Sequence, residues 1–330
     1  RSSISLQTAR KKYEMLDASQ YEKMFNEALV NEGGELFYDE TLTPPTTDWQ
    51  DLAMRTAPTQ NHEISVTGGS DKTQYYLSLG YLDQKGIIHH SDLNRISVRT
   101  NINRKVSDLL EVGTNFSWSK VNTNRVSGSV LGGMLTASPN LPVKQPDGSY
   151  TKHYPYKGAI TDFNNPIAYM NDYIDFNQSS RFLGNVYANF NLTDNLKLRI
   201  LGGMDAINSK RDNYNPLTTI SGFKVGGSAG VTEKRAEQWL NENTLDYTVE
   251  KNGHKLNALS GFTQQGSKYE SVKAASRSFI NDILQMNEPP RPWRAYAPNS
   301  AVSEWRLQSY IGRINYGFKG KYLATLTGRY

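Results

Sequence analysis

The chain has 330 residues, and only 37% of them are hydrophobic, so that no apolar run approaches the roughly 18 residues of a membrane-spanning helix. Cysteine is absent, which excludes structural disulfides, zinc-thiolate sites and thiol catalysis. The 37 basic and 32 acidic residues give a net charge of +5, but they are spread evenly without a basic run, which argues against a nucleic-acid-binding protein.

The chain begins with a predicted strand over residues 1–9, and the first helix is predicted over residues 18–30. Apolar residues in this helix recur at helical spacing, and two glycines then end the pattern: Tyr21, Met24, Phe25, Leu29, Gly33 and Gly34. We expect the helix to pack on the rim of the fold. It belongs to a long first loop that continues through residues 39–60, where three prolines occur.

Residues 62–118 alternate apolar and polar side chains in steps of two, which predicts four strands joined by polar turns. One face of each strand carries the apolar residues: Ile64 and Val66; Tyr75, Leu77, Leu79 and Tyr81; Ile96, Val98 and Ile102; Val112, Phe116 and Trp118. A water-soluble sandwich would show the same alternation. The alternation alone therefore leaves open whether the apolar face meets a protein core or lipid.

The connections between these strands favour lipid. Short polar turns, GGSDKT (68–73) and RKVSDLL (104–110), stand at one end of the strands, and the longer loop DQKGIIHHSDLN (83–94) stands at the other. Short turns at one end and long loops at the other are typical of an outer-membrane β-barrel, whose strands cross the bilayer in about 9 to 11 residues. Strand-face aromatics such as Tyr75 and Trp118 are then expected to face lipid.

The same stretch resembles the start of the barrel in the SusC/RagA family of TonB-dependent outer-membrane transporters. The resemblance lies in NHEISVTGGSDKTQYYLSLGYLDQKGII (61–88) and NRISVRTNINRKVSDLLEVGTNFSWS (94–119). Two earlier segments match the family in order and spacing: KKYEMLDASQYEKMFNEAL (11–29) and DWQDLAMRTAPTQNHEISVTGGS (48–70). The close resemblance thus covers roughly the first 120 residues.

After residues 1–120, which hold strands one to five, we predict a long irregular loop over 121–179 and six further strands over 180–330. Turn signals such as KNG (251–253) join the later hairpins. The fold class is therefore all-β, an antiparallel transmembrane barrel segment of about 11 strands with long extracellular loops and one short loop helix. A barrel with a plugged lumen has about 22 strands, so these would form half of one.

The resemblance implies a function for this half-barrel. Members of the family import oligosaccharides or peptides across the outer membrane of Bacteroidota, powered through TonB and capped by a SusD-like lipoprotein. Their plug and TonB box precede the barrel, and we expect this chain to be the N-terminal half of the barrel, with both ends internal to a longer protein. It is expected to need no cofactor, to touch the lipid bilayer, and not to be an enzyme.

Aromatic and basic side chains in the long loops are the candidates for contact with a ligand at the external mouth: Tyr150, Tyr154, Tyr156, Arg291, Trp293 and Tyr296. Other patterns predict no site. The five histidines lie in separate loops or turns apart from the pair His89 and His90, and the glycine strings at 128–134 and 225–230 are interpreted as turns or flexible loops.

Three other functions stay open at this point. A passive porin or a soluble extracellular β-rich glycan-binding protein would share the strand pattern. A carbohydrate-active enzyme would need a pair of carboxylates at fixed separation, and the acidic residues have no spacing that marks one.

Overall fold

A computed structural model describes residues 1–156, 159–283, 285 and 295–330. Eleven antiparallel strands form one sheet in which every strand pairs with the next one along the sheet. The strands are β1 (Ser2–Gln7), β2 (Ala57–Gly69), β3 (Thr73–Lys85), β4 (Asp92–Lys105), β5 (Leu110–Asn124), β8 (Ile174–Thr193), β9 (Leu196–Asn215), β10 (Ser228–Lys251), β11 (His254–Arg277), β12 (Asn299–Phe318) and β13 (Tyr322–Arg329). The predicted meander of eleven strands is confirmed.

Tight turns connect the strands at one end of the sheet. Asn252 and Gly253, between β10 and β11, both have positive φ values, of 55° and 82°. A left-handed pair of this kind builds a two-residue turn whose twist matches that of a hairpin. Between β12 and β13 the turn has three residues, 319–321, and Lys319 and Gly320 have φ values of 48° and 66°. All long connections therefore lie at the opposite end, as the loop lengths predicted.

The long connections fold into short elements of their own. Helices are α1 (Ala18–Asn31), α2 (Trp49–Ala53), α3 (Gly128–Thr136), α4 (Pro166–Asp172) and α5 (Ile220–Val225), and a small hairpin pairs β6 (His153–Tyr156) with β7 (Ala159–Asp162). Asp17 caps α1 through a capping box with Gln20, which explains why that helix begins where the sequence predicted. Among the described residues, no helix is long and apolar enough to span a membrane.

The expectation of an irregular loop over 121–179 is wrong in two respects. First, β5 runs to Asn124 and β8 begins at Ile174. Arg211 on β9 donates two hydrogen bonds of 2.6 Å to Asp175 and so ties the start of β8 to β9. Second, the segment between them contains α3, the hairpin and α4. The loops predicted over residues 211–230 and 267–302 are also shorter, since β9 reaches Asn215, β10 starts at Ser228 and β11 continues to Arg277.

The sequence predicted a turn or flexible loop for the glycine string at 128–134. This prediction is wrong, because the string forms most of helix α3. Its Val130 and Met134 are buried, and Gly133 lies so close to Pro166 that an added Cβ would stand 2.9 Å from the proline Cβ. Close packing against α4 therefore stabilises a helix that the glycines alone disfavour. The string at 225–230 does contain a turn, because Gly226 and Gly227 both have positive φ.

Candidate functional site

The sheet has one apolar face, on which large side chains remain exposed. Cross-strand pairing places Leu79 opposite Val98, Val98 opposite Trp118, and Trp118 opposite Phe182. Exposure is high on this face, at 72% for Ile64 and 51% for Leu79. An apolar surface this continuous is not left in water by soluble proteins, whereas a barrel turns such a band toward lipid.

Charged side chains mark where the apolar band ends. Strands β8 to β12 have 20 to 24 residues, about twice the 9 to 11 that a bilayer needs. On the outward face of β10, Trp239 and Tyr247 are exposed within the band, and Arg235 and Glu237, beyond Trp239, form a 2.5 Å ion pair. The ends of these strands that carry the long loops therefore extend past the aromatic boundary into a polar environment.

The opposite face of the sheet is polar. Asn115 on β5 donates a 3.1 Å hydrogen bond to Asn185 on β8. Arg181, also on β8, forms a bidentate pair with Asp205 on β9 at 2.9 and 2.7 Å. Serines, asparagines and charged residues alternate here with the outward apolar ones. Such an inner face suits a wet interior, in agreement with the sequence.

A hydrophobic core caps the end with the long loops. Trp49 of α2, Met134 of α3 and Ile167 of α4 are buried together, and the Phe163 ring contacts Trp49 in a tilted arrangement with 5.6 Å between ring centroids. The Trp49 indole also donates a hydrogen bond to the carbonyl of Ser138. The loops are therefore packed against one another as an extracellular cap, which we define as residues 10–56, 125–156 and 159–173 with helix α5.

Two of the candidate ligand residues help to build this cap. Tyr150 and Tyr154 pack on the hydrophobic core, and the Tyr150 hydroxyl accepts a 2.9 Å hydrogen bond from Asn171. Burial raises the pKa of both tyrosines, so their hydroxyls stay protonated across the physiological range. Their rings are only partly accessible to a ligand.

The remaining candidates are separated. Tyr156 lies in an aromatic cluster, 5.7 Å from Phe25 of α1 and 6.3 Å from Phe37. Tyr296 is 50% exposed and stands under the Arg277 guanidinium, whose central carbon is 5.3 Å from the ring. Arg291 and Trp293 lie outside the described residues. The structure thus brings Tyr150, Tyr154 and Tyr156 into one cap and does not place Tyr296 among them.

One ionic cluster joins the small hairpin to α5. Asp162 of β7 pairs with Lys224 of α5, and the Nδ1 atom of His153 lies 3.3 Å from the same carboxylate. The hydrogen bond from Lys224 is the main cause that lowers the pKa of Asp162 below its usual range. Within the described ranges no group of three or more His, Cys, Asp or Glu side chains could hold a metal ion.

The sequence did not predict the cap core or the inner-face ion pairs. Trp49, Val130 and Ile167 stand far apart in the chain and meet only because three short helices pack together. The inner-face pairs depend on strand register, which is set by the turns. The alternation of arginine and aspartate with apolar residues on β8 and β9 was a signal for the Arg181 and Asp205 pair.

Comparison with known proteins extends over nearly the whole chain. No family model matches it. TonB-dependent receptor P3 of Formosa agariphila is 28% identical over 340 residues, which cover 99% of this chain and 32% of the receptor. TonB-dependent receptor SusC of Bacteroides thetaiotaomicron is 25% identical over 363 residues, which cover 99% of this chain and 34% of SusC.

The fold is also known. The structure of the RagAB peptide transporter superimposes with a TM-score of 0.79 at 21% identity, over 99% of this chain and 41% of the matched one. This chain spans about a third of the length of the curated relatives that it matches. The chain thus has the fold of a TonB-dependent receptor barrel, with an antiparallel sheet, an apolar outer face and a polar inner face.

Among the TonB-dependent receptors, these relatives agree with the SusC/RagA family, which residues 62–118 resemble. The chain is a homologue of the SusC/RagA-family TonB-dependent receptors, and it corresponds to part of their barrel. Because these curated relatives are named as receptors, the prediction that the chain is not an enzyme is confirmed.

Proposed function

We propose that this chain forms part of the barrel wall of a TonB-dependent importer in the outer membrane of a bacterium of the Bacteroidota type. The proposal is carried by one observation: a continuous sheet has an exposed apolar face on one side and a polar face on the other. A bilayer accepts the first face and a watery passage requires the second. The Bacteroides and Formosa relatives support the assignment.

The cargo is an oligosaccharide or a peptide, imported together with a SusD-like surface lipoprotein and with energy from TonB. The relationship to SusC and the fold shared with the RagAB peptide transporter support this choice of cargo and partners. Such a lipoprotein is proposed to bind the extracellular cap, which lies at the loop end of the sheet. The wall itself supplies the path, and coupling to TonB takes place elsewhere in the importer.

Tyr150, Tyr154, Tyr156 and Tyr296 are proposed to contact the cargo at the external mouth, together with Arg291 and Trp293, which lie outside the described residues. Tyr156 carries the clearest test, because its ring belongs to a cluster that presents aromatic surface at the cap. Tyr156→Ala should weaken cargo binding by the intact receptor, and Tyr156→Phe should retain it, since stacking needs only the ring. Equal binding by both variants and the parent receptor would remove Tyr156 from the site.

The function is tested by deleting the gene in its own bacterium and measuring uptake of labelled oligosaccharides and peptides by whole cells. We expect uptake of one cargo class to disappear and to return with the complete gene. A second strain without TonB provides the control. Uptake that requires the gene but not TonB would establish a passive porin instead, and a protein recovered from the soluble fraction would exclude the barrel.

A further inference from the structure

We infer that the inner face of the sheet binds an anionic oligosaccharide, one that carries carboxylate or sulfate groups along its length. This inference rests on the proposed function and specifies the class of cargo. It is carried by four cations on the inner face, Arg95 and Arg99 of β4, Lys234 of β10 and Lys273 of β11, which we call the inner cationic surface. All four side chains are exposed.

Cross-strand pairing shows that these four residues share one face. Arg95 pairs with Val121, Val121 with Ser179, Ser179 with Ser209, and Ser209 with Lys234. Residues that pair directly across an antiparallel ladder point to the same side of the sheet. Arg95 and Lys234 therefore lie in one row, four strand spacings or about 19 Å apart.

The other two cations flank that row. Arg99 is four residues from Arg95 along β4, about 13 Å away on the same face. Lys273 pairs with Thr232, the inner-face neighbour of Lys234, so the two lysines are diagonal neighbours about 7 to 8 Å apart at their backbones. The inner cationic surface is therefore far wider than one small anion and matches a ligand with several charges.

The carboxylates on this part of the wall do not neutralise these cations. From the level of Arg99 to that of Asp175, the inner face of strands β2 to β11 holds six cations and three carboxylates. Asp205 and Asp175 are occupied by Arg181 and Arg211 in bidentate pairs. Glu63, on β2, is the third. Among the described residues, none of the four cations of the inner cationic surface forms an ion pair.

The groups between the cations favour a saccharide over a peptide. Ser97, Ser119, Ser179 and Ser209 place hydroxyl groups between the charged side chains. Two aromatic rings stand on the same face in neighbouring strands, Tyr269 at 36% exposure and Trp305 at 48%. Hydroxyls suit the many donors and acceptors of a sugar, and exposed rings suit its apolar faces. The cations then select anionic sugars.

The test uses the intact receptor, produced from the complete gene and purified in detergent. Binding is measured by calorimetry for two matched pairs of oligosaccharides of equal length: oligogalacturonate against its methyl ester, and sulfated dextran oligomer against dextran. We expect at least one charged member to bind about tenfold more tightly than its neutral counterpart, with a difference that shrinks as salt is raised. The inference is overturned if neither charged oligomer binds more tightly than its neutral counterpart.

The double variant Arg95→Gln and Lys234→Gln should weaken binding of the charged oligomer about fivefold, the combined effect of two exposed ion pairs, and leave binding of the neutral one unchanged. A matched control removes the same charge from the opposite face at the same height. Lys120 and Lys210 are outward neighbours of Val121 and Ser209. Lys120→Gln with Lys210→Gln should therefore change nothing, and equal losses in the two double variants would refute the inner location.

An oligoglutamate of the same charge separates sugar from peptide. If it binds as tightly as the charged oligosaccharide, the anionic-saccharide assignment fails in favour of acidic peptides. These measurements are independent of energised uptake by whole cells. A receptor that imports a neutral cargo in a TonB-dependent manner would thus overturn this inference and leave the proposed function intact.

Discussion

Replacement of Asn165 by alanine should loosen the extracellular cap without affecting the barrel wall. Asn165 is 2% exposed and caps helix α4, where its Oδ1 accepts hydrogen bonds from the backbone amides of Ile167 (3.1 Å) and Ala168 (3.4 Å). Its Nδ2 donates to the carbonyls of Val143 (2.8 Å) and Thr151 (3.2 Å). One side chain thus ties α4 to the segment that carries Tyr150.

The expected loss follows from these four bonds. A helix N-cap contributes about 1 kcal/mol, and each of the two buried amide bonds contributes about 1 kcal/mol more. Asn165→Ala should therefore lower the free energy of local opening by about 3 kcal/mol. Since every 1.4 kcal/mol corresponds to about a factor of ten, amide exchange in residues 143–170 should become about 100-fold faster.

Hydrogen exchange followed by mass spectrometry on the intact receptor measures this rate peptide by peptide. Asn165→Ser serves as the control, because serine restores the cap but not the two amide bonds and should recover about 1 kcal/mol. Peptides from β3 and β4 should exchange as in the parent protein. Unchanged exchange in residues 143–170 of the alanine variant would refute the view that this side chain holds the cap together.

Two further predictions concern the two faces of the sheet and the ionic cluster of the cap. Val66→Lys, on the apolar face, should destabilise the barrel in lipid vesicles by about 2 to 4 kcal/mol, whereas Ser65→Lys, on the inner face, should be tolerated; equal urea midpoints would contradict the assignment of faces. Because the pKa of Asp162 is lowered in the fold, the stabilisation that its charge provides is present above its unfolded pKa and disappears as the pH falls through the folded one. Amide exchange at α5 should therefore become faster in acid. In the variant Asp162→Asn, this exchange should already be fast at pH 7 and should not change in acid. Exchange as slow as in the parent protein would contradict the prediction.

The strands could be predicted because each carries its own signal. In β3 the apolar residues Tyr75, Leu77, Leu79 and Tyr81 alternate with Tyr76, Ser78 and Gly80. Lipid on one side of the sheet and water on the other enforce that alternation. The signal fades where both faces are wet. Residues 174–179 of β8 lie in that region, and the sequence predicted a loop there, although the ion pair between Arg211 and Asp175 keeps the strand extended.

The cap could not be predicted because its elements are too short for periodicity. Helix α2 has five residues, α4 has seven and α5 has six, each less than two turns. What stabilises them is contact between distant segments, such as Trp49 with Phe163. Only the 14-residue α1, with its capping box at Asp17, was long enough to be predicted.

The same reasoning explains why the candidate residues and the inferred site differ. Loop aromatics such as Tyr150 are natural candidates for ligand contact in a sequence. In the structure, however, the Tyr150 ring packs on the hydrophobic core of the cap, and this burial uses part of its surface. The sequence does not single out Arg95 and Lys234, because they lie far apart in the chain. Only the register of the strands places them in one row. We therefore expect the wall to contribute, beside the loops, to selection among cargo molecules.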